Sequence, residues 1–473
     1  MLRPTRWVWL MVGLFFTFMF SFPAAAFAAG ETPTIDSGDT AWLLVSTAIV
    51  IFMFLPGLAL YYGGMVGQRN VLSVIMLNTS SMLIISVVWV LWGHSLAYGT
   101  DVGGWIGGLD YIGFNGVDQL PFGSLTIPHI LFAVFQALFA AITVALIAGS
   151  VAERIRFSAW VLFAPIWVTL IYVPMAHWVW GGGWLSKIGG LDFAGGTVVH
   201  ILSGVSALVA AIILGPRRTF PNRTSPPHNL VFFMIGAMCL WFGWMCFNGG
   251  SALSAGSLAG HVIATTQFAA CAGGIVWGAM EWMLRKKATL FGTVTGIIAG
   301  LVAITPAAGY VSVLSSLVIG GGAGVVCYWA VNVLKSKLKY DDVLDVFGVH
   351  GIGGIWGALA TGIFANKEIN SAGNNGLLFG NPMQLVHQLI EIGVAVLLAS
   401  VGTFVILKLI QSVMPIRVTE EEETNGLDIS LHGEAAYNTF EAGRSEMVNP
   451  AIDQYEVNQP IANQTALGKN MIG

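Results

Sequence analysis

Apolar runs of about the length needed to cross a bilayer, roughly 20 residues at about 1.5 Å rise each, recur along nearly the whole chain and exclude most other architectures. They lie at 41–62, 70–97, 125–150, 158–177, 192–214, 229–247, 258–283, 288–304, 310–332, 343–364 and 382–412, eleven expected spans of which 288–304 is the shortest. Of the 473 residues, 56% are hydrophobic and 9% charged, against roughly 25% charged in a water-soluble domain. A soluble core needs polar outer faces, which these runs do not offer. The chain is therefore expected to be an all-α integral membrane protein, with membrane lipid as its solvent and no nucleic-acid partner.

The ends and the loops orient it. Arg3 and Arg6, the apolar stretch from Trp7 to Phe22 and the small residues from Ala24 to Ala29 follow the order of a secretory signal peptide. Cleavage is expected near Ala26 or Ala28, the alternative being an uncleaved first helix. Arg69, Arg154, Arg156, Arg217, Arg218, Arg223, Arg285, Lys286, Lys287, Lys335, Lys337 and Lys339 all fall in alternate loops, while the opposite loops hold only Lys187 and Lys367. Cytoplasmic loops carry the excess of Lys and Arg, which places the mature N-terminus outside and, after an odd number of spans, the C-terminus inside. The expected organisation is a signal peptide at 1–28, a transmembrane domain at 29–412 and a cytoplasmic tail at 413–473. The acidic run Glu420–Glu423 in that tail reads as a solvated face. The four cysteines lie inside apolar segments without C-x-x-C spacing and read as small core hydrophobes.

Ionisable residues inside spans cost roughly 2.5 to 3.5 kcal/mol each on insertion scales, so His200 and His350 require a reason. Both stand in V-H-x-x-x-G, 150 residues apart, in the fifth and tenth spans. Five spans followed by five of opposite orientation form an inverted repeat, with one helix left over. Counted from Asp192, His200 lies about 12 Å deep; counted from Asp341 at the other face, His350 lies about 13 Å deep. Both therefore reach the middle of a roughly 30 Å hydrocarbon core. Neutral imidazole offers one donor and one acceptor, so the pair suits passage of a small polar solute or a proton, or else a buried structural hydrogen bond. No third ligand at helical spacing points to a metal. No nucleophile, paired carboxylate or cofactor motif accompanies the histidines, so neither an enzyme nor a cofactor is expected.

Asp192, followed by Phe193, Ala194, Gly195, Gly196 and Thr197, reads as a helix N-cap; the alternative is a carboxylate that attracts or deprotonates a cation. Trp178, Trp180, Trp244 and Phe247 lie at span ends as in an interfacial belt. Phe247, however, precedes the polar turn Asn248–Ser251, where a ring face and a hydroxyl could hold a cation. His94, His129, His177, His261, His387 and Glu391 read as packing or interface groups, and Asp345 as a structural partner or cap near the cytoplasmic entry.

The strings D-F-A-G-G-T-V-V-H from Asp192, D-V-F-G-V-H-G-I-G-G from Asp345, W-G-G-G-W-L from Trp180 and A-E-R-I-R-F-S-A at 152–159 resemble the ammonium transporter family, Amt/MEP/Rh, in its bacterial Amt branch, over about residues 40–440. The resemblance implies a homotrimer of eleven-helix subunits in the bacterial cytoplasmic membrane, each with its own pore. It assigns an outer cation site to Trp180 with Phe139 and Ser251, a gate to Phe139 and Phe247, the twin pore histidines to His200 and His350, an entry carboxylate to Asp192 and a position near the gate to Gln136. The string G-L-D-I-S-L-H-G-E-A-A-Y from Gly426 to Tyr437 resembles a family tail that packs under the pores and meets PII-type regulators. The implied activity is ammonium transport, in which the cation is deprotonated and ammonia crosses, because neutral ammonia avoids the charge penalty. The alternatives are an ammonium sensor signalling through its tail and a carbon dioxide channel.

Overall fold

The computed structural model describes residues 34–221 and 227–437, so the expected signal peptide and the tail beyond residue 437 lie outside the described residues. Ten described helices are long and apolar enough to cross a membrane: α1 Ser37–Met65, α2 Gln68–Tyr98, α3 His129–Val151, α4 Phe157–Ile188, α5 Gly196–Leu214, α6 Leu230–Gly250, α7 Ser257–Arg285, α9 Val313–Leu338, α10 Phe347–Phe364 and α11 Met383–Val413. The weakest expected span does form a helix, α8 Leu290–Ile304, which is apolar but shorter, at 15 residues. Between α2 and α3, a small antiparallel hairpin pairs β1 Asp101–Val102 with β2 Ile106–Gly107.

Most helix ends fall within a few residues of the apolar runs. The fourth runs on from 177 to Ile188 across a break at 180–183, and the fifth starts at Gly196 rather than at 192. That late start has a cause, because Gly195 sits at φ 111°, a left-handed conformation open chiefly to glycine. It turns residues 193–195 so that their following amides converge on Asp192. Pro56 lies inside a widened, π-type turn at Met53–Leu58 in α1, as expected where a residue cannot donate to the preceding turn. Two further π-type turns, Gly196–Ile201 and Phe347–Gly351, contain the two span histidines; such turns gather at functional sites.

α5 and α10 cross at glycine. A Cβ on Gly204 would lie 2.1 Å from the Gly351 nitrogen, and one on Gly354 would lie 2.9 Å from the Gly196 carbonyl oxygen. The contact is reciprocal, since a Cβ on Gly354, 150 residues beyond Gly204, would also lie 3.0 Å from Ile201, 150 residues before Gly351. Small residues allow this backbone-to-backbone approach in membrane helices, and the crossing is what brings the His200 and His350 rings together.

Charged groups gather at the face that holds 152–156, 217, 341 and the segment after α11. Arg154 is buried and donates to the Asp341 carbonyl at 2.5 Å, while Arg217 pairs with Asp341 at 2.8 Å and with Glu153 at 2.7 Å. Burial pushes the Asp341 carboxyl up, but the hydrogen bonds and charge of Arg217, with the charge of Arg154, outweigh it and hold the group below the usual carboxylate range. The acidic run departs from the solvated face expected of it. It forms α12, Glu420–Asn425, with a Thr419–Glu422 capping box, and Glu422 and Glu423 pair with Arg156 at 2.9 Å and Arg417 at 2.8 Å. Asp428 then accepts the Ser73 N–H at 2.8 Å, at the start of α2. Partly exposed pairs like these contribute little each, but together they fix the described part of the tail against the helical body.

Candidate pore and its entrance

Asp192 is buried and its carboxylate is saturated with donors. Oδ1 accepts the N–H groups of Gly195 at 2.8 Å and Gly196 at 2.6 Å; Oδ2 accepts those of Thr197 at 2.8 Å and Val198 at 3.1 Å, and the Thr197 hydroxyl at 2.5 Å. Asp192 thus caps the start of α5 from three residues before its N-cap position, Gly195, through several bonds where an ordinary N-cap makes one or two. The same residue's carbonyl accepts the Trp180 indole N–H at 2.8 Å, so the capped turn also aims Trp180.

Trp180 meets Phe139 of α3 edge-on, with centroids 6.0 Å apart at 89°, and Phe139 stacks on Phe247 of α6 at 4.1 Å and 19°. The structure thus brings together three of the four residues assigned to the cation site and gate, with both phenylalanines fully buried. Ser251 is one turn beyond Phe247 and donates to its carbonyl at 2.8 Å. Gln136, one turn before Phe139, accepts the Tyr98 hydroxyl at 2.8 Å.

Behind the stacked rings is a narrow cavity with room for about one water-sized molecule, lined by Tyr61, Ile142, Leu146, Val199 and Trp244 together with both histidines. Among the described residues, no carboxylate, lysine or arginine lines it. His200 and His350 meet through their Nδ1 atoms at 3.2 Å. One Nδ1 must donate and the other accept, so in the neutral pair one Nε2 is a donor and the other an acceptor. His200 Nε2 has no protein partner. The pair therefore leaves one N–H and one lone pair for a solute in a passage that is otherwise apolar.

Sequence reasoning missed Trp244, read as part of an interfacial belt. It is buried, stacks on His200 at 5.4 Å and 26°, and is held by its indole N–H donating to Thr305 at 2.9 Å. A position one to two turns from the span end, in register with Phe247, was the available signal. At the far end of the pore, the cap is Asp342 and not Asp345. Asp342 Oδ2 accepts the Phe347 N–H at 2.8 Å, whereas Asp345 sits at φ 59° and receives Lys335 at 2.6 Å. The spacing could have revealed it, because Asp342 precedes His350 by the same interval that separates Asp192 from His200.

The chain belongs to the Ammonium Transporter Family, whose model matches residues 41–437. It is 49% identical over 406 residues to the ammonium transporter of Bacillus subtilis, covering 85% of this chain and 99% of that protein. Among solved structures it resembles Saccharomyces cerevisiae Mep2, with TM-score 0.78, 37% identity and coverage of 85% of this chain and 96% of that one. A structure titled "Sensor Amt Protein" matches with TM-score 0.78 and 32% identity, covering 83% and 98%. Family and helices together make this a multi-pass membrane protein.

Proposed function

We propose that the chain transports ammonium across the bacterial cytoplasmic membrane through a pore within each subunit. The cation is recruited beside Trp180, Phe139 and Ser251, loses its proton there, and passes as ammonia between Phe139 and Phe247 and along His200 and His350. The supporting observation is the sequence of environments along one line: aromatic faces, which favour a cation by about 0.5 to 2 kcal/mol, then a stacked barrier, then an uncharged cavity with one donor and one acceptor. An ammonium ion in that cavity would bear the cost of a bare charge, while ammonia needs only hydrogen bonds.

In this reading α1–α11 all cross the membrane, α8 included, as two inverted five-helix repeats plus a final helix. The Asp192 end faces outside and the C-terminus inside. Residues 29–412 form the transmembrane domain, three subunits assemble, and the segment after α11 is the place for a PII-type regulator. Sensing through the tail is the weaker reading, because the 49% identical Bacillus subtilis relative is a transporter by name while the sensor neighbour is 32% identical.

Ammonium-evoked current and internal alkalinisation in proteoliposomes test the proposal, with the parent compared to the His200→Ala, His350→Ala double variant. Flux in the parent that the double variant alters in rate or charge supports it; absence of both signals in the parent overturns transport. Current separates separate proton crossing from passage of ammonia alone.

A further inference from the structure

Glu391, in the outer half of α11, is fully buried and has a single hydrogen-bond partner among the described residues, the Thr197 hydroxyl at 2.5 Å. The same hydroxyl lies 2.5 Å from Asp192 Oδ2. A threonine hydroxyl carries one hydrogen, so it donates to one carboxylate only. The other oxygen must bring a hydrogen of its own, or two lone pairs face each other at 2.5 Å. Asp192 already accepts four backbone N–H groups, which stabilise its anion. Glu391 receives no such donor, its Oε2 is unpartnered, and among the described residues no lysine or arginine pairs with either carboxylate. Two buried anions sharing one hydroxyl without a cation are untenable.

We propose that Glu391 carries a proton and donates it to Thr197 Oγ1, whose own hydrogen goes to Asp192, so that one negative charge, fixed on Asp192, stands at the pore entrance. Glu391 is then a positioning residue for the transport reaction. It belongs to a polar stripe on α11: Gln388 both donates to and accepts from the Leu191 backbone, each at 2.8 Å, and Gln384 donates to the Gly189 carbonyl at 2.8 Å. The stripe holds 189–191, the segment that delivers Asp192 and, through the Asp192 carbonyl, Trp180. The titratable groups around Glu391 are Asp192, Tyr310 in the loop before α9, and His387 one turn away on α11. Loss of the Glu391 proton would replace a donor with a second charge and loosen that segment.

The transport part of this inference rests on the proposed function; the protonation part does not. Infrared difference spectra of reconstituted parent against Glu391→Gln are expected to show a protonated-carboxyl C=O band at neutral pH that the variant lacks. Glu391→Gln, whose amide also donates, is expected to transport within about twofold of the parent at neutral pH, while Glu391→Ala loses about tenfold. The ratio of parent to Glu391→Gln rates cancels the titration of ammonium itself and is expected to fall on the alkaline side, once Glu391 loses its proton and becomes a second anion beside Asp192. Absence of the band overturns the protonation. A band with a flat ratio overturns the role at the entrance, and a band with no flux in any protein rejects the transport reading instead.

Discussion

The two ends of the pore share a backbone and differ in charge. Asp192, Gly195, His200 and Gly204 correspond, 150 residues on, to Asp342, Asp345, His350 and Gly354. In both halves a carboxylate caps a π-type turn that carries a histidine, and the residue three beyond the carboxylate is left-handed, Gly195 at φ 111° and Asp345 at φ 59°. Around Asp192 the balance comes from amides, a hydroxyl and the proposed Glu391 proton. Around Asp342 there is a full cation, because Lys335 Nζ lies 2.6 Å from Asp345 and 2.5 Å from the Asp342 carbonyl, with Arg154 and Arg217 on Asp341 next to it. The backbone geometry that meets the histidines is thus repeated, while the carboxylates are balanced by cations at the Asp342 end and by amides and a hydroxyl at the Asp192 end.

The crossing gives the harshest test of the likeness. Gly204→Ala places a methyl 2.1 Å from backbone nitrogen and is expected to cost more than about 4 kcal/mol, seen as loss of monodisperse protein in size-exclusion profiles. Gly354→Ala, at 2.9 Å from a carbonyl oxygen, is expected to cost about 1 to 2 kcal/mol and leave folded protein. Equal tolerance would mean that the halves do not meet as tightly as this geometry requires. The charge difference comes next. Asp192→Asn is expected to lower ammonium flux by two to three orders of magnitude, about 3 to 4 kcal/mol, for loss of an anion without a counter-cation in a low-dielectric site. Asp342→Asn, which keeps the cap acceptor beside a cation, is expected to cost about threefold. Similar losses at both ends would break the comparison.

How much of this was legible follows from what each residue had to stand out against. His200 and His350 were readable because an ionisable group in an apolar span is costly and therefore conspicuous. Asp192 was readable because a carboxylate before G-G-T suits a helix start. Trp244 was not, since a tryptophan near a span end looks the same whether it meets lipid headgroups or a buried imidazole. Gln384 and Gln388 were missed, and Glu391 was read only as a packing or interface group, because their partners, 189–197, lie nearly 200 residues away, and only the packing of α11 on that segment pairs them. Glu422 read as solvated for the same reason, its partner Arg156 lying far away in sequence, whereas Glu423 pairs with nearby Arg417, which a run of four glutamates did not reveal. The apolar helices were legible throughout, with ten of the eleven expected spans long enough to cross a membrane among the described residues, and their ends shifted most where a break or cap unrelated to hydropathy intervened, as at 180–183 and at Gly195.

Titration distinguishes the ends by stability. Burial pushes the Asp342 carboxyl up, to about 6, against a partial opposing pull from Lys335. A carboxyl raised on folding binds its proton more tightly in the native state, so it stabilises below its unfolded pKa of about 3.9 and loses that contribution as pH rises through about 6. The shift of about two units corresponds to at most about 3 kcal/mol. Thermal midpoints in detergent, parent against Asp342→Asn, are expected to converge as pH falls from about 7 to about 4, with the parent gaining relative to the variant over that interval. A difference independent of pH would place a full, stable charge at Asp342 and make the two caps alike.

The smallest effect isolates the cation itself. Lys335→Gln removes the positive charge from the Asp342 end and leaves Asp345 without its partner, so that end should come to resemble the Asp192 end in its pull on cations. At the effective dielectric of a half-buried site, one charge beside the mouth alters local cation concentration by only a few fold. Initial ammonium flux entering from that end, measured in vesicles of defined protein orientation, is therefore expected to rise about threefold at low salt and much less at high salt. Flux entering from the Asp192 end should stay within about 1.5-fold at about 0.1 M salt, where a Debye length of about 10 Å is short against a roughly 30 Å membrane core. A rise that persists at high salt would point to a change of shape at the mouth and not to its charge, and no rise would mean that Lys335 is not what sets the two ends apart.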